Sequence, residues 1–583
     1  MKSNFSEIDS AISGEDWDEV KRLILAGVTD FAHPYDDDEP PLICKIIEAG
    51  QEDVAIFWLD HGFPHYLTTG GRYPSTILHW AAKYGMPRLI ERMLETGVDI
   101  NKDDRNFCSP LWLAASCNQL ACVNVLLANG ADPDGYEIAG ANISSDTPLC
   151  EAATADIAGC LLDAGANPEI GPHGDYWADS DAGYHFNMDR EMLSPLTCAA
   201  LDGRMDVARL LLDRGFPLDS QALRFMALDK HGEHLGNALE LIRLGALIDD
   251  RPLLVAARAG NTPFCRMLLD AGVRPGKEVL EMAVLSGNEV CVDLFLDQGD
   301  LVSSIRTAAK IGVESILEKM LSLHPGLASY ALLGAIAGCR LNLAKGMLEK
   351  GADPNFKDAD GRTPLMLLYG IDRRKDGFRF MQVDPNRYRG KWQYGRSWWK
   401  PTERDFEERD FPDFNIHRPD NWNEIIHLID DDVQAFATRL IEKGADIHAR
   451  DNKGRTSLWH ACSRSWMKSI PWLAGLGLDV NERDSEGTNS FDAGCLSGES
   501  FTIEPMVKAG AVVDARDSYG DTALLKSARE FHENPRTFSL SVIMTLLRFG
   551  ADPDLENNAG ESLRKMAEKD DNIKFALDMH EKL

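Results

Sequence analysis

The chain has 583 residues, several times the roughly 100–200 of one domain, so it contains several cores or repeats one small unit. Hydrophobic residues make up 44% and charged residues 26%, which excludes wholesale disorder and a fibrous, low-complexity chain. The 61 Lys and Arg against 93 Asp and Glu give a formal net charge of −32, and a field of that sign repels phosphate backbones and anionic membranes.

The cysteines and the apolar stretches predict the compartment. No two of the twelve cysteines are spaced as Cys-x-x-Cys, and most lie in apolar helical stretches. We therefore expect buried thiols in a reducing compartment, the cytoplasm. We expect neither a signal peptide nor a membrane anchor, because the longest uncharged apolar stretch, about residues 326–339, is too short to span a bilayer.

One string returns along the chain: an apolar pair, two further residues, a Gly and a short polar end. Its near-copies are residues 126–133, 161–168, 347–354, 440–446 and 546–553. The steps from Gly97 to Gly130, from Gly444 to Gly477 and from Gly477 to Gly510 are each 33 residues. A fixed step of this length is typical of a repeated unit of secondary structure.

Each unit reads as a pair of short helices. A Ser or Thr that can cap a helix, a Pro suited to its first turn and a Leu stand together at residues 109–111, 147–149, 194–196 and 363–365. A pair of Ala follows in many units, at 81–82, 114–115, 199–200, 256–257 and 308–309, and its small side chains let a neighbouring helix approach. The Gly past the second helix is suited to the left-handed conformation. Such a hairpin cannot bury its own apolar face, so it must stack on copies of itself.

The segment from Thr76 to Asn101 resembles the ankyrin-repeat family, whose pattern is T-P-L-H-x-A-A, a Gly, V-x-x-L-L and G-A-D-x-N. The resemblance implies an all-α solenoid of stacked helical hairpins with short β-hairpin fingers. By count, roughly sixteen units run from about residue 5 to a C-terminal capping helix at 572–583. His79 and His460 match the structural histidine of the family, which hydrogen-bonds along the seam between repeats.

Departures from the 33-residue step divide the chain. The steps from Gly245 to Gly272 and from Gly272 to Gly299 are 27 residues, so we expect the fingers to be trimmed there. The expected blocks are N-terminal repeats at 1–218, short finger-poor repeats at 219–328 and C-terminal repeats at 329–583. Insertions are expected at about 170–193 and about 371–423. The step from Gly351 to Gly444 is 93 residues, which we interpret as two periods plus about 27 residues.

The insertion at about 371–423 is the basic part of an acidic protein. Residues 372–404 contain ten Arg or Lys and seven aromatic residues against four acids. Three interpretations stay open. The aromatic rings pack this loop onto the solenoid while its Arg side chains pair with the acidic run that follows, or the loop docks an anionic protein, or it contacts nucleic acid. The acidic surroundings disfavour the last.

Catalytic and metal-binding patterns are not found. The glycines at 475 and 477 lack the third Gly of a phosphate loop, and the string 494–498 places its Ser wrongly for a nucleophile elbow. The pairs His61/His65 and His231/His234 lack the H-E-x-x-H order and a third ligand. The His and Asp residues of 171–185 match no metal spacing and are interpreted as a solvated loop. We expect no enzyme, no metal and no cofactor.

The resemblance implies protein binding through the finger tips and the positions after the Ala pair. Carried over to this sequence, these positions include Lys83, Tyr84, Arg105, Phe107, Arg258, Lys310, Arg362, Lys453, Arg455 and Tyr519. The insertion adds Arg389, Trp392, Arg396, Trp398 and Trp399.

Together these features predict a monomeric scaffold or inhibitor that binds a basic partner protein on the concave face and finger tips, with no small-molecule substrate and no membrane contact. Attraction to such a partner would weaken with salt. The alternative is an effector-type docking protein whose basic and aromatic insertion contacts an anionic partner or nucleic acid.

Overall fold

The computed structural model describes residues 2–26, 42–61, 76–104, 108–135, 147–171, 193–216, 221–229, 232–246, 248–372, 422–534 and 540–582. Within these ranges the regular structure is helical, and no strand is formed. The chain divides into two compact units, unit 1 at Met1–Gln298 and unit 2 at Gly299–Leu583. Each unit is a stack of helical hairpins, which is the all-α ankyrin-type solenoid that the sequence predicts. The count of sixteen repeats stays a prediction.

Unit 1 is built from short helices that follow one another in pairs. They are α1 (Lys2–Ser13), α2 (Trp17–Leu25), α3 (Leu42–Glu48), α4 (Glu52–Asp60), α5 (Ile77–Lys83), α6 (Pro87–Leu94), α7 (Pro110–Ser116), α8 (Leu120–Ala128), α9 (Ala155–Asp163), α10 (Pro195–Leu201), α11 (Met205–Asp213), α12 (Gln221–Ala227), α13 (Leu235–Arg243), α14 (Arg251–Ala259), α15 (Thr262–Asp270), α16 (Val279–Ser286) and α17 (Glu289–Asp293).

Unit 2 continues the same pattern. Its helices are α18 (Leu301–Ile311), α19 (Glu314–Leu323), α20 (Ala328–Ala337), α21 (Leu341–Glu349), α22 (Pro364–Gly370), α23 (Trp422–Glu442), α24 (Ser457–Ser463), α25 (Ser469–Gly475), α26 (Ser490–Cys495), α27 (Ile503–Lys508), α28 (Ala523–Glu533), α29 (Leu540–Arg548), α30 (Leu563–Ala567) and α31 (Asp571–Glu581). Two short 3-10 turns, Pro325–Leu327 and Ser500–Thr502, precede α20 and α27.

The predicted helix starts are present, with one exception. Ser109 Oγ accepts the N–H of Trp112 at 3.2 Å, and Thr363 Oγ1 accepts the N–H of Met366 at 3.4 Å. Each hydroxyl satisfies one of the free N–H groups of a first turn. The start predicted at residues 147–149 gives only a turn, because α9 begins at Ala155 and leaves too little chain for a separate helix.

The hairpins stack in two rows, first helices on first helices and second on second. In unit 1, α5 packs on α7 and α6 packs on α8. The predicted Ala pairs lie at these contacts, and all ten of their residues are fully buried. Gly130, past the end of α8, has a φ of 86°, so it takes the left-handed conformation that the sequence predicts. The large side chains between the rows supply most of the core, and burying each contributes about 1.5–3 kcal/mol.

His79 holds the seam between repeats as predicted, whereas His460 bonds Asp451 in the loop before its own helix, at 3.1 Å. In unit 1, the His79 ring lies 2.7 Å from Thr76 Oγ1 through Nδ1 and 3.0 Å from the Cys108 carbonyl oxygen through Nε2. Thr76 begins the same helix, whereas Cys108 precedes the first helix of the next hairpin. One buried ring therefore joins two consecutive repeats.

The links between hairpins differ along the chain. In the middle they are short: residues 244–250 join α13 to α14, and residues 271–278 join α15 to α16. In unit 2, residues 350–363 join α21 to α22 and form a finger. The fingers are tight loops rather than the predicted β-hairpins, since the described fingers of unit 2 contain a single bridge, between Arg483 and Asn489. The division into three blocks stays a prediction.

The described residues beside the two insertions show where each departs from the stack. At the first, a Cβ atom on Gly171 would lie 2.1 Å from the Leu193 carbonyl oxygen, so the chain leaves and returns at one place.

The second insertion, at about 371–423, lies inside a hairpin, because α22 contacts α23. Glu349, at the end of α21, accepts hydrogen bonds from Arg439 (2.7 Å) and Lys443 (3.1 Å). The step from Gly351 to Gly444 is therefore one unit, and the interpretation as two periods was wrong.

Candidate interaction surface

Unit 2 carries five consecutive finger loops, which we call the finger row. It comprises residues 353–363, 446–456, 479–489, 512–522 and 552–562. Each loop contains an Asp or Asn followed three residues later by Gly. This spacing, rather than hydrophobic periodicity, sets the local fold of the row.

The leading acid or amide closes each loop. Asp451 Oδ1 accepts the N–H groups of Lys453 and Arg455, each at 2.9 Å, so that one side chain replaces two missing backbone partners. The Gly is required for conformation and for space. Gly520 has a φ of 78°, and a Cβ there would lie 2.7 Å from Asn558 Oδ1 in the next loop.

Backbone hydrogen bonds join one loop to the next. Asn452 N–H donates to the Asp360 carbonyl oxygen (2.9 Å), Ser485 N–H to Lys453 (2.8 Å) and Asn558 N–H to Tyr519 (2.9 Å). The third and fourth loops meet through side chains, since Asn481 Oδ1 accepts the Val512 N–H at 2.8 Å. The five loops therefore form one continuous edge whose members cannot move independently.

The finger row is acidic. Its five loops contain sixteen Asp and Glu against seven Lys and Arg, and the last two loops contain seven acids against one base. Several acids are paired at the surface: Glu486 lies 2.9 Å from Lys453 Nζ, and Asp554 lies 2.6 Å from Arg564 Nε. The net charge of −9 is spread along one edge, so its potential extends outward and attracts cations.

A buried ionic cluster anchors the second loop. The Asp451 side chain is fully buried, with Arg455 Nε 2.8 Å and His460 Nε2 3.1 Å away. Burial alone would raise the pKa of Asp451, but hydrogen bonds from Arg455 and Lys453 outweigh it and lower the pKa. Burial lowers the pKa of His460 to about 4, and the positive charge of Arg455 acts in the same direction. His460 is therefore neutral at pH 7.

A second cluster lies behind the third and fourth loops. Lys526 Nζ lies 2.9 Å from Asp492 Oδ2 and 2.8 Å from Asp517 Oδ2. Only 1% of the Asp492 side chain and 13% of that of Lys526 are exposed. Burial raises the pKa of Asp492, and burial alone would lower the pKa of Lys526, although its two carboxylate partners raise it overall. The ammonium is therefore needed to keep two carboxylates in the interior.

A cavity of about 880 Å³ opens in unit 2 between the loops and the turns that join paired helices. Its lining includes Arg362, Arg455, Trp459, His460 and Arg464 together with the acids Asp372, Asp484 and Glu486. The Arg455 guanidinium lies 4.8 Å from the centre of the Trp459 ring, within cation–π range. The cavity offers a partner both aromatic surface and charged groups.

The structure places four of the predicted binding residues on the finger row. Arg362 pairs with Asp358 at 2.8 Å, and Lys453 and Arg455 pair as described above. Tyr519 is 71% exposed, and it is the one large aromatic ring at a tip of the row. The structure thus places these four on one edge, with Arg362, Lys453 and Arg455 on its first two loops and Tyr519 on its fourth. The three basic residues already hold acidic partners.

The remaining described binding residues are not part of the finger row, and three of them belong to unit 1. Lys83 is exposed at the end of α5, with its ammonium 5.1 Å from the Tyr84 ring. Tyr84 donates to Glu48 at 3.1 Å, and Arg258 donates to the Leu285 carbonyl at 3.0 Å. Lys310 is exposed on α18 of unit 2. Seven further predicted residues lie outside the described ranges, namely Arg105, Phe107, Arg389, Trp392, Arg396, Trp398 and Trp399.

Sequence reasoning missed the acids that give the row its charge. The predicted set contains Lys, Arg and aromatic residues, whereas a basic partner would meet carboxylates such as Glu482, Asp514 and Glu556. The spacing of an Asp or Asn three residues before a Gly could have found them, since it marks each of the five loops. Within the described ranges, no group of three or more His, Cys, Asp or Glu could hold a metal ion. No described helix is long and apolar enough to cross a membrane.

The chain is similar to known ankyrin-repeat proteins. The family model for ankyrin repeats matches residues 10–137 and 78–171. An ankyrin repeat protein of Fowlpox virus is 28% identical over 26% of this chain, and an ankyrin repeat-containing protein of Treponema pallidum is 33% identical over 17% of it. The matches span 30% and 39% of those proteins. The crystal structure of the human ASB11 ankyrin repeat domain is 24% identical, and the match covers 38% of this chain and 97% of that one with a TM-score of 0.29.

Proposed function

We propose that this ankyrin-repeat protein is an interaction scaffold or inhibitor that holds a basic partner protein along the finger row and the concave face beside it. Ankyrin repeats are protein–protein interaction modules, and a stacked array offers a long preformed surface. Such a surface binds with little ordering of its own, so less of the interaction energy is lost on association.

The observation that carries the proposal is the acid excess of the finger row. Sixteen acids against seven bases stand on loops that are hydrogen-bonded into one edge. Charge complementarity of this kind raises the association rate and suppresses acidic competitors, and salt screens it. The exposed ring of Tyr519 supplies an apolar anchor near the most acidic loops, and aromatic rings are enriched among the residues that dominate interface energies.

The finer assignments are parts of the same proposal. Lys83, Tyr84, Arg258 and Lys310 would contact the partner outside the row, and Arg362, Lys453 and Arg455 would give the row its pattern of alternating charge. We propose a binding role without catalysis, and a cytoplasmic location because nine of the twelve cysteines are buried thiols and none of the twelve is in a disulfide.

The test compares two triple variants of equal net charge. The first removes three exposed acids from the row, Glu486→Gln, Asp554→Asn and Glu556→Gln. The matched control removes three exposed acids elsewhere in unit 2, Glu504→Gln, Glu568→Gln and Asp578→Asn. Both are used to capture partners from native lysate at two salt concentrations, and captured proteins are identified by mass spectrometry.

We expect basic proteins to be captured by the wild type at low salt, lost at high salt and reduced selectively by the row variant. Equal loss from both variants would mean that the overall negative field, not the row, attracts the partner. Capture that is insensitive to salt and to both variants would contradict the proposal. Retention of anionic proteins or nucleic acid that requires residues 373–421 would instead support the alternative docking function of the insertion.

A further inference from the structure

Two buried thiols of unit 1 face each other across consecutive hairpins. Cys265 on α15 and Cys291 on α17 have their sulfur atoms 3.9 Å apart. Both helices are second members of their hairpins, and they pack side by side. Each cysteine is 0% exposed. The contact places two nucleophilic sulfurs within reach of each other and is not used by the proposed binding function.

The two thiols are not equivalent. The hydrogen bond from Cys265 lowers the pKa of Cys291 although burial opposes this, and the same bond raises the pKa of Cys265. Cys291 is thus the sulfur that carries negative charge more readily, and Cys265 holds the proton. A thiolate is the form that reacts with peroxides, so the geometry gives the pair an attacking sulfur and a resolving sulfur.

The surroundings of the two cysteines would let a peroxide reach Cys291. Arg266 and Val290, the sequence neighbours of the two cysteines, are exposed, and Val290 is 53% exposed. Helix α17 has only five residues, and so short a helix depends on packing rather than on its own hydrogen bonds. Transient local opening of α17 would bring Cys291 to solvent without unfolding the rest of unit 1.

We propose that Cys265 and Cys291 form a reversible disulfide when the protein meets a peroxide. In the first step the Cys291 thiolate attacks one peroxide oxygen, the O–O bond breaks, and sulfenic acid and water form after proton transfer. In the second, the Cys265 sulfur displaces the sulfenic oxygen, giving the S–S bond and a second water. The sum is two thiols and one hydrogen peroxide giving one disulfide and two waters.

The bridge requires a modest movement. A disulfide holds its sulfurs about 2.05 Å apart, so the present separation of 3.9 Å must shorten by a side-chain rotation and a small shift of α17. Once formed, the bond would fix two consecutive second helices to each other across 26 residues of chain. A crosslink of this kind restricts the unfolded chain and stabilises the fold.

Cys122 is the matched control. It lies on second helix α8, is fully buried, and its sulfur is 3.9 Å from the Ala81 carbonyl. The sulfur of Cys291 faces the Ala257 carbonyl at the same distance. The two sites share burial and backbone environment, and they differ in the facing thiol. Substitution Cys122→Ser therefore tests the effect of a buried serine without touching the pair.

The full chain is treated with hydrogen peroxide, its remaining thiols are blocked, and it is digested with trypsin without reductant. Cleavage after Arg258 and Arg266 frees the Cys265 peptide, and cleavage after Lys277 and Arg306 frees the Cys291 peptide. We expect these two peptides as one crosslinked species, lighter than their sum by two hydrogens and separated by dithiothreitol. Thermal unfolding of unit 1 should shift to higher temperature in parallel.

The crosslink and the thermal shift should be lost in Cys265→Ser and in Cys291→Ser and kept in Cys122→Ser. The peptide measurement on the wild type stands even if a serine variant fails to fold. Recovery of Cys265 and Cys291 as unlinked peptides, at a dose that oxidises the half-buried Cys117, would overturn the proposal. A crosslink that appears only after denaturation would overturn it equally.

Discussion

The backbone N–H of Asn452 donates a hydrogen bond to the carbonyl oxygen of Asp360, 2.9 Å away, although 92 positions separate them in the sequence. Asn452 Nδ2 reinforces this contact by donating to the Ala359 carbonyl at 3.0 Å. The two loops are therefore consecutive members of the finger row. The residues between α22 and α23 are additional to one hairpin and do not separate two others.

Replacing residues 373–421 by a short Gly-Ser linker should leave unit 2 folded. The contacts of α23 with Glu349 and of Asn452 with Asp360 do not involve the deleted segment. We expect the midpoint of urea unfolding to change little and capture of basic partners to persist. Loss of capture with the fold intact, seen by circular dichroism, would contradict our proposed function and favour a binding role of the insertion.

Gly334 should tolerate no larger residue. A Cβ at this position of α20 would lie 2.2 Å from the Arg306 carbonyl oxygen of α18, so the helices would have to separate. We expect Gly334→Ala to destabilise unit 2 by about 1–3 kcal/mol. Gly346→Ala in α21 is the control, because a Cβ there meets no atom within 4 Å, and it should stabilise by about 0.5–1 kcal/mol. Hydrogen exchange of the backbone amides of residues 301–349 measures the stability change in both variants. Equal changes in the two would refute the close contact at Gly334.

Lys526 should be indispensable for the interior of unit 2. Lys526→Met removes the ammonium and leaves Asp492 and Asp517 without their cation. We therefore expect the free energy of unfolding to fall by about 3–5 kcal/mol. Lys565→Met breaks a surface pair with Glu556, in which both side chains are 53% exposed, and an exposed hydrogen bond to the Gly560 carbonyl; it should cost about 0–1 kcal/mol. Chemical denaturation of the two variants measures the difference. A Lys526 variant as stable as the Lys565 variant would show that the buried carboxylates need no partner.

His460 should make unit 2 sensitive to mild acid. Its pKa is about 4 in the fold and 6.5 as a free side chain, so the unfolded chain binds the proton first. The stability that comes from keeping His460 neutral is complete above pH 6.5. As the pH falls toward 4 this stability is lost, and the free energy of unfolding decreases by up to about 3 kcal/mol. We expect His460→Gln to reduce the slope of stability against pH in that window. His448→Gln, which removes an exposed histidine of the same unit and retains His460, should keep the wild-type slope, and identical slopes for all three proteins would disprove this assignment.

Local patterns of the sequence predicted the repeat well because each depends on one short-range cause. Ser109 caps because its hydroxyl reaches the N–H of Trp112, Gly130 ends a helix because it accepts a positive φ, and His79 binds within its own turn and to the next repeat. Such features depend on a few residues that are adjacent in the sequence. The same rule explains the false helix start at Thr147, where the capping residue is present but the chain needed for a helix is not.

Features that depend on distant residues were not predictable. The spacing of Gly351 and Gly444 fits one unit or two equally well, and contacts between distant residues decide, such as those of Glu349 with Arg439 and of Asn452 with Asp360. The acidic finger row was missed for a related reason, since the spacing before each Gly marks single loops, and the loops join into one edge only through stacking. The facing of Cys265 and Cys291 likewise requires the register of one helix against the next, which sequence periods do not specify.

The position of the long insertion has a consequence for engineering. Because α22 and α23 are held by their flanking repeats, the point between them is a site at which extra chain can be inserted without disturbing the stack. A reporter or enzyme domain whose termini lie close together could be inserted there in place of residues 373–421. The inserted domain and the partner bound on the finger row would then be held on the same unit, unit 2.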